Sequence, residues 1–300
     1  MYNYTMKPLR ISGIIDQTFK IYRSNFKAII VFALLIGGTV DLIVALLQLG
    51  STAAQLTTPL GSLLSSENIL DALISFSDST RPSMLASLIN IASFIFITPF
   101  VTGGITLITL NVAHGHSEDR YLPQALARYG KLIGVTLSLI PLFSLLIIVF
   151  IIISIIFSFL PFLITITMLV SFCVFVILYL FAFPIALQEE RYGFSWFGRA
   201  WSLFRRKVGK TVGLLLLTAL LVSVLSFVLQ SFFLIFLPPL IGAVIRITVA
   251  SLLQPITTIA ITLLYLDIRL SKEGYDLEMR AAALQDDQEQ IEQGFDTSYE

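Results

Sequence analysis

LIGVTLSLIPLFSLLIIVFIIISIIFSFLPFLITITMLVSFCVFVILYLFAFPIALQ, residues 132–188, contains no Asp, Glu, Lys, Arg or His. As a helix rising ~1.5 Å per residue, this stretch would be roughly 85 Å long, against a hydrocarbon layer of about 30 Å. It must cross a bilayer, turn and cross back. The turn belongs at Ser158-Phe159-Leu160-Pro161, where proline ends a helical pattern. Strands are excluded by the lack of any two-residue alternation, and in lipid each segment must satisfy its own backbone groups.

The composition of the whole chain points the same way. Hydrophobic residues make up 56%, charged residues 13%, and the mean hydropathy is +0.89. A soluble domain usually carries about twice that charge. Working outward from the central hairpin, six spans are expected at about 28–49, 84–111, 132–157, 162–187, 211–233 and 245–266. The first is no cleaved signal peptide, because its apolar run is too long and Asp41 interrupts it.

The charges set the orientation. Of 19 basic residues, all but Arg81 and Arg246 fall before span one, between spans two and three or four and five, or after span six. The positive-inside rule places those segments, and both termini, in the cytoplasm of a cell membrane. The net charge is zero, and nucleic acid is not an expected partner. The single Cys173 lies in an apolar stretch and reads as a small buried hydrophobe, so neither a disulfide nor a cysteine metal site is available.

The connections are patterned. Ile11, Ile14, Ile15, Phe19, Tyr22 and Phe26 recur at helical spacing, while Arg10, Asp16, Lys20 and Arg23 take the other face. Phe194, Phe197, Trp201 and Phe204 repeat the design before span five, with Arg199, Arg205, Arg206 and Lys207 as the basic side. A shorter version, 121–129, precedes span three. The expected fold is therefore an all-α integral membrane protein: six transmembrane helices in three hairpin units, each preceded by a cytoplasmic amphipathic interfacial helix. Candidate lipid-interface residues are Lys20, Tyr22, Arg23, Lys27, Trp196, Arg199, Trp201, Arg205, Arg206 and Lys207. They would bind anionic lipid, or serve as ordinary anchors that set span tilt.

Three motifs occur in order: ISGIIDQTFKIYRSNF (11–26), PIALQEERYGFSWFGRAWSL (184–203) and YLDIRLSKEGYDL (265–277). Together they resemble a bacterial and archaeal family of six-span proteins named after the membrane domain of glycerophosphoryl diester phosphodiesterase. The likeness covers about residues 9–280 and implies the six-span architecture. In the fused members the phosphodiesterase chemistry belongs to a separate soluble barrel, which this sequence does not contain, so the resemblance implies no activity here.

The residues themselves assemble no catalytic set and imply no cofactor. Metal-assisted hydrolysis needs several carboxylates and histidines in one pocket, and the chain has two histidines. His114 and His116, with Glu118 and Asp119, could ligate a metal or form a solvated loop; the loop is the simpler reading. Glu189-Glu190-Arg191 and Tyr265-Leu266-Asp267-Ile268-Arg269 end spans four and six, either as water-exposed caps or as a surface for a partner protein.

Asp41 is different, because an intramembrane carboxylate is functional by default. At a rise of ~1.5 Å per residue it sits ~20 Å above the inner end of span one. Thr98-Pro99 and Gln254-Pro255 reach a similar level, with Arg246 nearer the outer boundary. Asp41, Thr98, Gln254 and Arg246 form a candidate intramembrane polar site: a structural contact between spans one and six, or a transport site.

The chain divides into a cytoplasmic amphipathic segment (1–27), a six-helix membrane domain (28–272) and an acidic, largely disordered tail (273–300). A surface helix over 69–76 is expected in the outer connection. The expected role is a non-enzymatic membrane scaffold or accessory component, with lipids and an unidentified protein as partners. A small-solute or lipid transporter using Asp41 is the alternative, and a membrane-embedded hydrolase the third.

Overall fold

The computed structural model describes residues 9–52, 84–115, 121–156, 161–234 and 239–273. The 69–76 helix, His116, Glu118, Asp119 and the acidic tail lie outside the described residues. Among the described residues there is no strand, and six helices are long and apolar enough to cross a membrane. The protein is an all-helical, multi-pass membrane protein.

Among the described residues, eight helical elements follow in chain order. Helix α1 is Ile11–Ser24; α2 runs over 26–52, with π-helical turns at Val31–Gly38. Helix α3 runs over 84–113, with π turns at Ser93–Ile97. The remainder are α4 (Tyr121–Ile156), α5 (Pro161–Gln188), α6 (Ser195–Arg206), α7 (Val208–Leu234) and α8 (Pro239–Glu273). Helices α2, α3, α4, α5, α7 and α8 contain the six spans.

Helix α8 is the hub. In its span 67% of the most apolar window is buried inside the protein, against 11% for α7 and 17% for α4. Its neighbours are α1, α2, α3, α5, α6 and α7. At 35 residues it is ~53 Å long, more than a bilayer core requires, so its last turns project beyond the hydrocarbon. The outer helices turn Leu216, Leu220 and Phe227 of α7 and Ile148, Ile151 and Ile152 of α4 away from the protein. Cys173 belongs to this class: it is exposed on α5 rather than buried, because lipid is as good an apolar surrounding as a core.

The third patterned connection is not a separate element. Tyr121–Ile156 is one unbroken helix of 36 residues, so 121–131 forms the first turns of the span-three helix. Asn111 of α3 donates to Gln124 of α4, and the Arg128 guanidinium donates to the Leu187 carbonyl at the end of α5. Contacts of this kind gather the start of α4, the end of α5, α6, the start of α7, the end of α8 and residue 9 at one end of the bundle, here termed the charged end. The spans therefore alternate up and down.

Helix α3 passes closest to its neighbours at Gly103-Gly104. A Cβ on Gly104 would collide with the Phe32 ring, and one on Gly103 with the Leu132 side chain. Glycines permit such close helix approach in membranes. Gly103→Ala or Gly104→Ala should therefore lower stability in detergent by about 1–3 kcal/mol through overpacking. Gly130 and Gly134 have open space at the Cβ position, and alanine there should be neutral or stabilising by up to ~1 kcal/mol. Thermal unfolding of the four purified variants checks the contrast.

Candidate functional site

Helix geometry explains how α8 organises the charged end. Tyr265 and Arg269 are four residues apart and share one face, whereas Asp267 projects from roughly the opposite side. The two faces meet different partners, and each holds a buried carboxylate.

On one face, Asp267 is fully buried. Its Oδ1 accepts the backbone N–H of Leu9 at 2.7 Å, and its Oδ2 accepts the ammonium groups of Lys210 at 2.5 Å and Lys207 at 3.4 Å. Lys210 also donates to the Leu9 carbonyl, and Lys207 to the Ser271 hydroxyl. The backbone ahead of α1 is thus clasped from both its N–H and its C=O sides. Lys207 ends α6 and Lys210 lies in the first turn of α7, so one carboxylate binds four chain segments together.

On the other face, Glu189 at the end of α5 accepts the Tyr265 hydroxyl at 3.0 Å. The Arg199 Nε lies 3.0 and 2.7 Å from its two oxygens. Arg191 and Arg269 stand 3.5 and 3.8 Å away. These carboxylates are not the water-exposed caps that sequence position suggests: Asp267 has no exposed surface and the Glu189 side chain is 10% exposed. Two desolvated carboxylates are held by five cationic side chains. No cluster able to hold a metal occurs among the described residues. His114 instead places its Nδ1 2.5 Å from the Leu110 carbonyl.

The candidate lipid-interface residues separate into two groups. Lys20, Arg23, Lys27, Trp201, Arg205 and Arg206 are exposed. Trp196, Arg199 and Lys207 instead point inward, contrary to the sequence expectation. Trp196 is fully buried, and its Nε1–H donates to Ser138 of α4 at 2.8 Å, while Arg199 and Lys207 serve the two carboxylates. Helix α6 lays its apolar face on α5, and protein there replaces lipid as the apolar phase. Tyr22 is half-buried and donates to the Leu252 carbonyl of α8 at 2.9 Å, next to the carbonyl of Ser251 that Pro255 leaves without its helical donor. Burial raises the pKa of this phenol.

The second candidate site lies nearer the middle of the bundle. Helices α2 and α8 are neighbours there, as the Asp41 reading requires: a Cβ on Gly38 would lie 3.0 Å from the Ser251 hydroxyl. On another side, Gly37 faces Val101 of α3 at 3.5 Å. Counting ~1.5 Å per residue from these two contacts puts Asp41 and Thr98 within about 2 Å of one level, with Arg246 about 3 Å farther from the charged end. Gln254 lies about 9 Å nearer the charged end than Asp41 on the same count. Asp41, Gln254 and Arg246 are exposed, and no ion pair joins Asp41 to Arg246 among the described residues. Arg246 is five residues from Ser251, about 140° around the helix from the face that meets α2, which accounts for the missing contact.

In both helices a π segment precedes the polar residues: Val31–Gly38 before Thr39 and Asp41, Ser93–Ile97 before Thr98. Pro99 gives the cause in α3, because it lacks the N–H that would sustain the α ladder. The Thr98 hydroxyl donates instead to the Ser93 carbonyl, five residues back, at 3.4 Å. In α2 the Thr39 hydroxyl donates to the carbonyls of Leu35 and Ile36 at 2.7 and 3.0 Å. Nothing in the sequence marks the α2 π segment except Gly37-Gly38.

Comparison of the chain with protein-family models, curated proteins and solved structures gives no match to any of them.

Proposed function

We propose that the chain is a multi-pass scaffold or accessory component of a cytoplasmic membrane, with its charged end in the cytoplasm. The observation that carries this reading is the use made of the two buried carboxylates. Asp267 and Glu189 are fully engaged in joining α1, α5, α6, α7 and α8 into one platform. Arg205 is exposed on α6 beside that platform, and Lys20, Arg23 and Lys27 are exposed along α1 and the start of α2. Such a surface suits anionic lipid headgroups, each nearby Lys or Arg contributing about 1 kcal/mol at low salt, and a protein partner at the headgroup level. The orientation rests on the basic residues that gather at this end.

Purification in mild detergent, followed by mass spectrometry of bound lipids and proteins, tests the reading. Anionic phospholipid should be enriched over the bulk membrane, and the enrichment should fall when Lys20, Arg23, Lys27 and Arg205 become Gln. Bound lipid matching the bulk composition would remove the lipid part of the proposal. For orientation, single cysteines at Ser65 and Ser79 in a Cys173→Ser background should react with an impermeant thiol reagent outside intact cells, whereas a cysteine at Ser195 should not. The opposite labelling pattern would invert the topology.

A further inference from the structure

We propose that Asp41 is the centre of an intramembrane binding site for a monovalent cation, a proton or an alkali metal ion, at the junction of α2, α3 and α8. This goes beyond the scaffold reading and rests on observations remote from the charged end.

Asp41, Thr98 and Ser251 lie within about one helical turn of one another along the bundle. Helix α2 leaves its π turns at Gly38 and presents Asp41 one turn later; α3 leaves its π turns at Ile97 and presents Thr98. Helix α8 contributes Ser251, 4% exposed, against the flat face of Gly38, and Pro255 deprives the Ser251 carbonyl of its helical donor. A side chain on a helix leans toward the N-terminal end of its own helix. The Asp41 carboxyl is thereby carried back over Gly37-Gly38, toward Ser251.

The chemistry follows from those donors. A carboxylate, two hydroxyls and the Ser251 carbonyl are hard oxygen donors, the kind that holds hard cations. Interrupted helices place such groups at membrane depth in ion-coupled proteins, and π turns inside α-helices recur at functional sites. Irregular backbone at that depth is tolerated only inside protein or beside a water-filled cavity. Asp41 is exposed and therefore reachable by a ligand.

The charge balance calls for a single positive charge. Helix α3 has no titratable side chain, α2 has only Lys27 besides Asp41, and α1, packed on α8, brings the Tyr22 hydroxyl to the Leu252 carbonyl with Lys20 and Arg23 exposed on either side of it in sequence. On α8 the charged group nearest in level is Arg246. Arg246 leaves α8 about 140° from the face that meets α2, and among the described residues no ion pair neutralises Asp41.

Purified full-length protein is treated with a hydrophobic carbodiimide, which modifies protonated carboxyls in apolar surroundings, and adduct at Asp41 is quantified by mass spectrometry. Wild-type protein should be labelled at Asp41, and Asp41→Asn should give no adduct there. If the ligand is an alkali ion, NaCl or KCl at ten times Kd should protect about tenfold against N-methylglucamine chloride of equal ionic strength. If it is a proton, labelling should fall as pH rises, with no difference between salts. Ser251→Ala should weaken protection while leaving the fold intact. The absence of Asp41 labelling, or wild-type labelling indifferent to salt and to pH between 5 and 9, overturns the proposal. Melting temperatures of Asp41→Asn and Asp41→Glu separate this outcome from misfolding.

Discussion

Asp267→Ala should be among the most damaging single substitutions in this chain, lowering stability by about 3–5 kcal/mol. The cost comes from what the carboxylate leaves behind more than from the carboxylate itself. Lys207 and Lys210 are 21% and 18% exposed, and removal of their acceptor strands two ammonium groups in a largely desolvated place. The Leu9 N–H loses its acceptor as well. Asp267→Asn keeps an oxygen for Leu9 while losing the charge, and should fall between wild type and Ala. Thermal unfolding in detergent measures the series. The double variant Asp267→Ala, Lys210→Met should lose less than the sum of its parts, because the second change removes one stranded charge. Additive losses would show that the cluster is not the coupled unit its geometry describes.

Trp196→Ala and Trp201→Ala should differ sharply although the two residues share α6 and are five positions apart. Trp196 is fully buried and bonded to Ser138, so truncation opens a cavity under α6 and should cost about 3–5 kcal/mol. Trp201 is 43% exposed, and its loss should cost under about 1 kcal/mol in detergent. Its effect should appear in vesicle binding instead. Equal destabilisation by both would place α6 in the lipid headgroups, as its sequence pattern alone suggests.

This contrast shows where the sequence was informative. The charge-free run of 132–188 required a membrane hairpin, and the distribution of basic residues required alternating spans; both are matters of length and charge that no packing detail can alter. The Phe194–Lys207 pattern identified an amphipathic helix correctly but could not say what covers it, since a bilayer and a neighbouring protein surface are equally apolar. The same ambiguity concealed the exposure of Cys173. Asp267 was harder to place, because a charge at the end of a span is normally hydrated. A weak signal existed in its flanks: Leu264, Tyr265, Leu266 and Ile268 surround it on every side of the helix and leave no face for water. The π turns of α3 could be traced to Thr98-Pro99, whereas those of α2 have no equally specific marker.

The clasp between Leu9 and Asp267 also fixes a timetable. The two residues are 258 positions apart, so at about 5–20 residues per second the early segment waits roughly 13–50 s during synthesis before its acceptor exists. Every intermediate in that interval carries Lys207 and Lys210 without their carboxylate once those residues have been made. A chain terminated before Asp267 stays in that condition. The last helix therefore works as a keystone whose arrival distinguishes a finished molecule from an unfinished one.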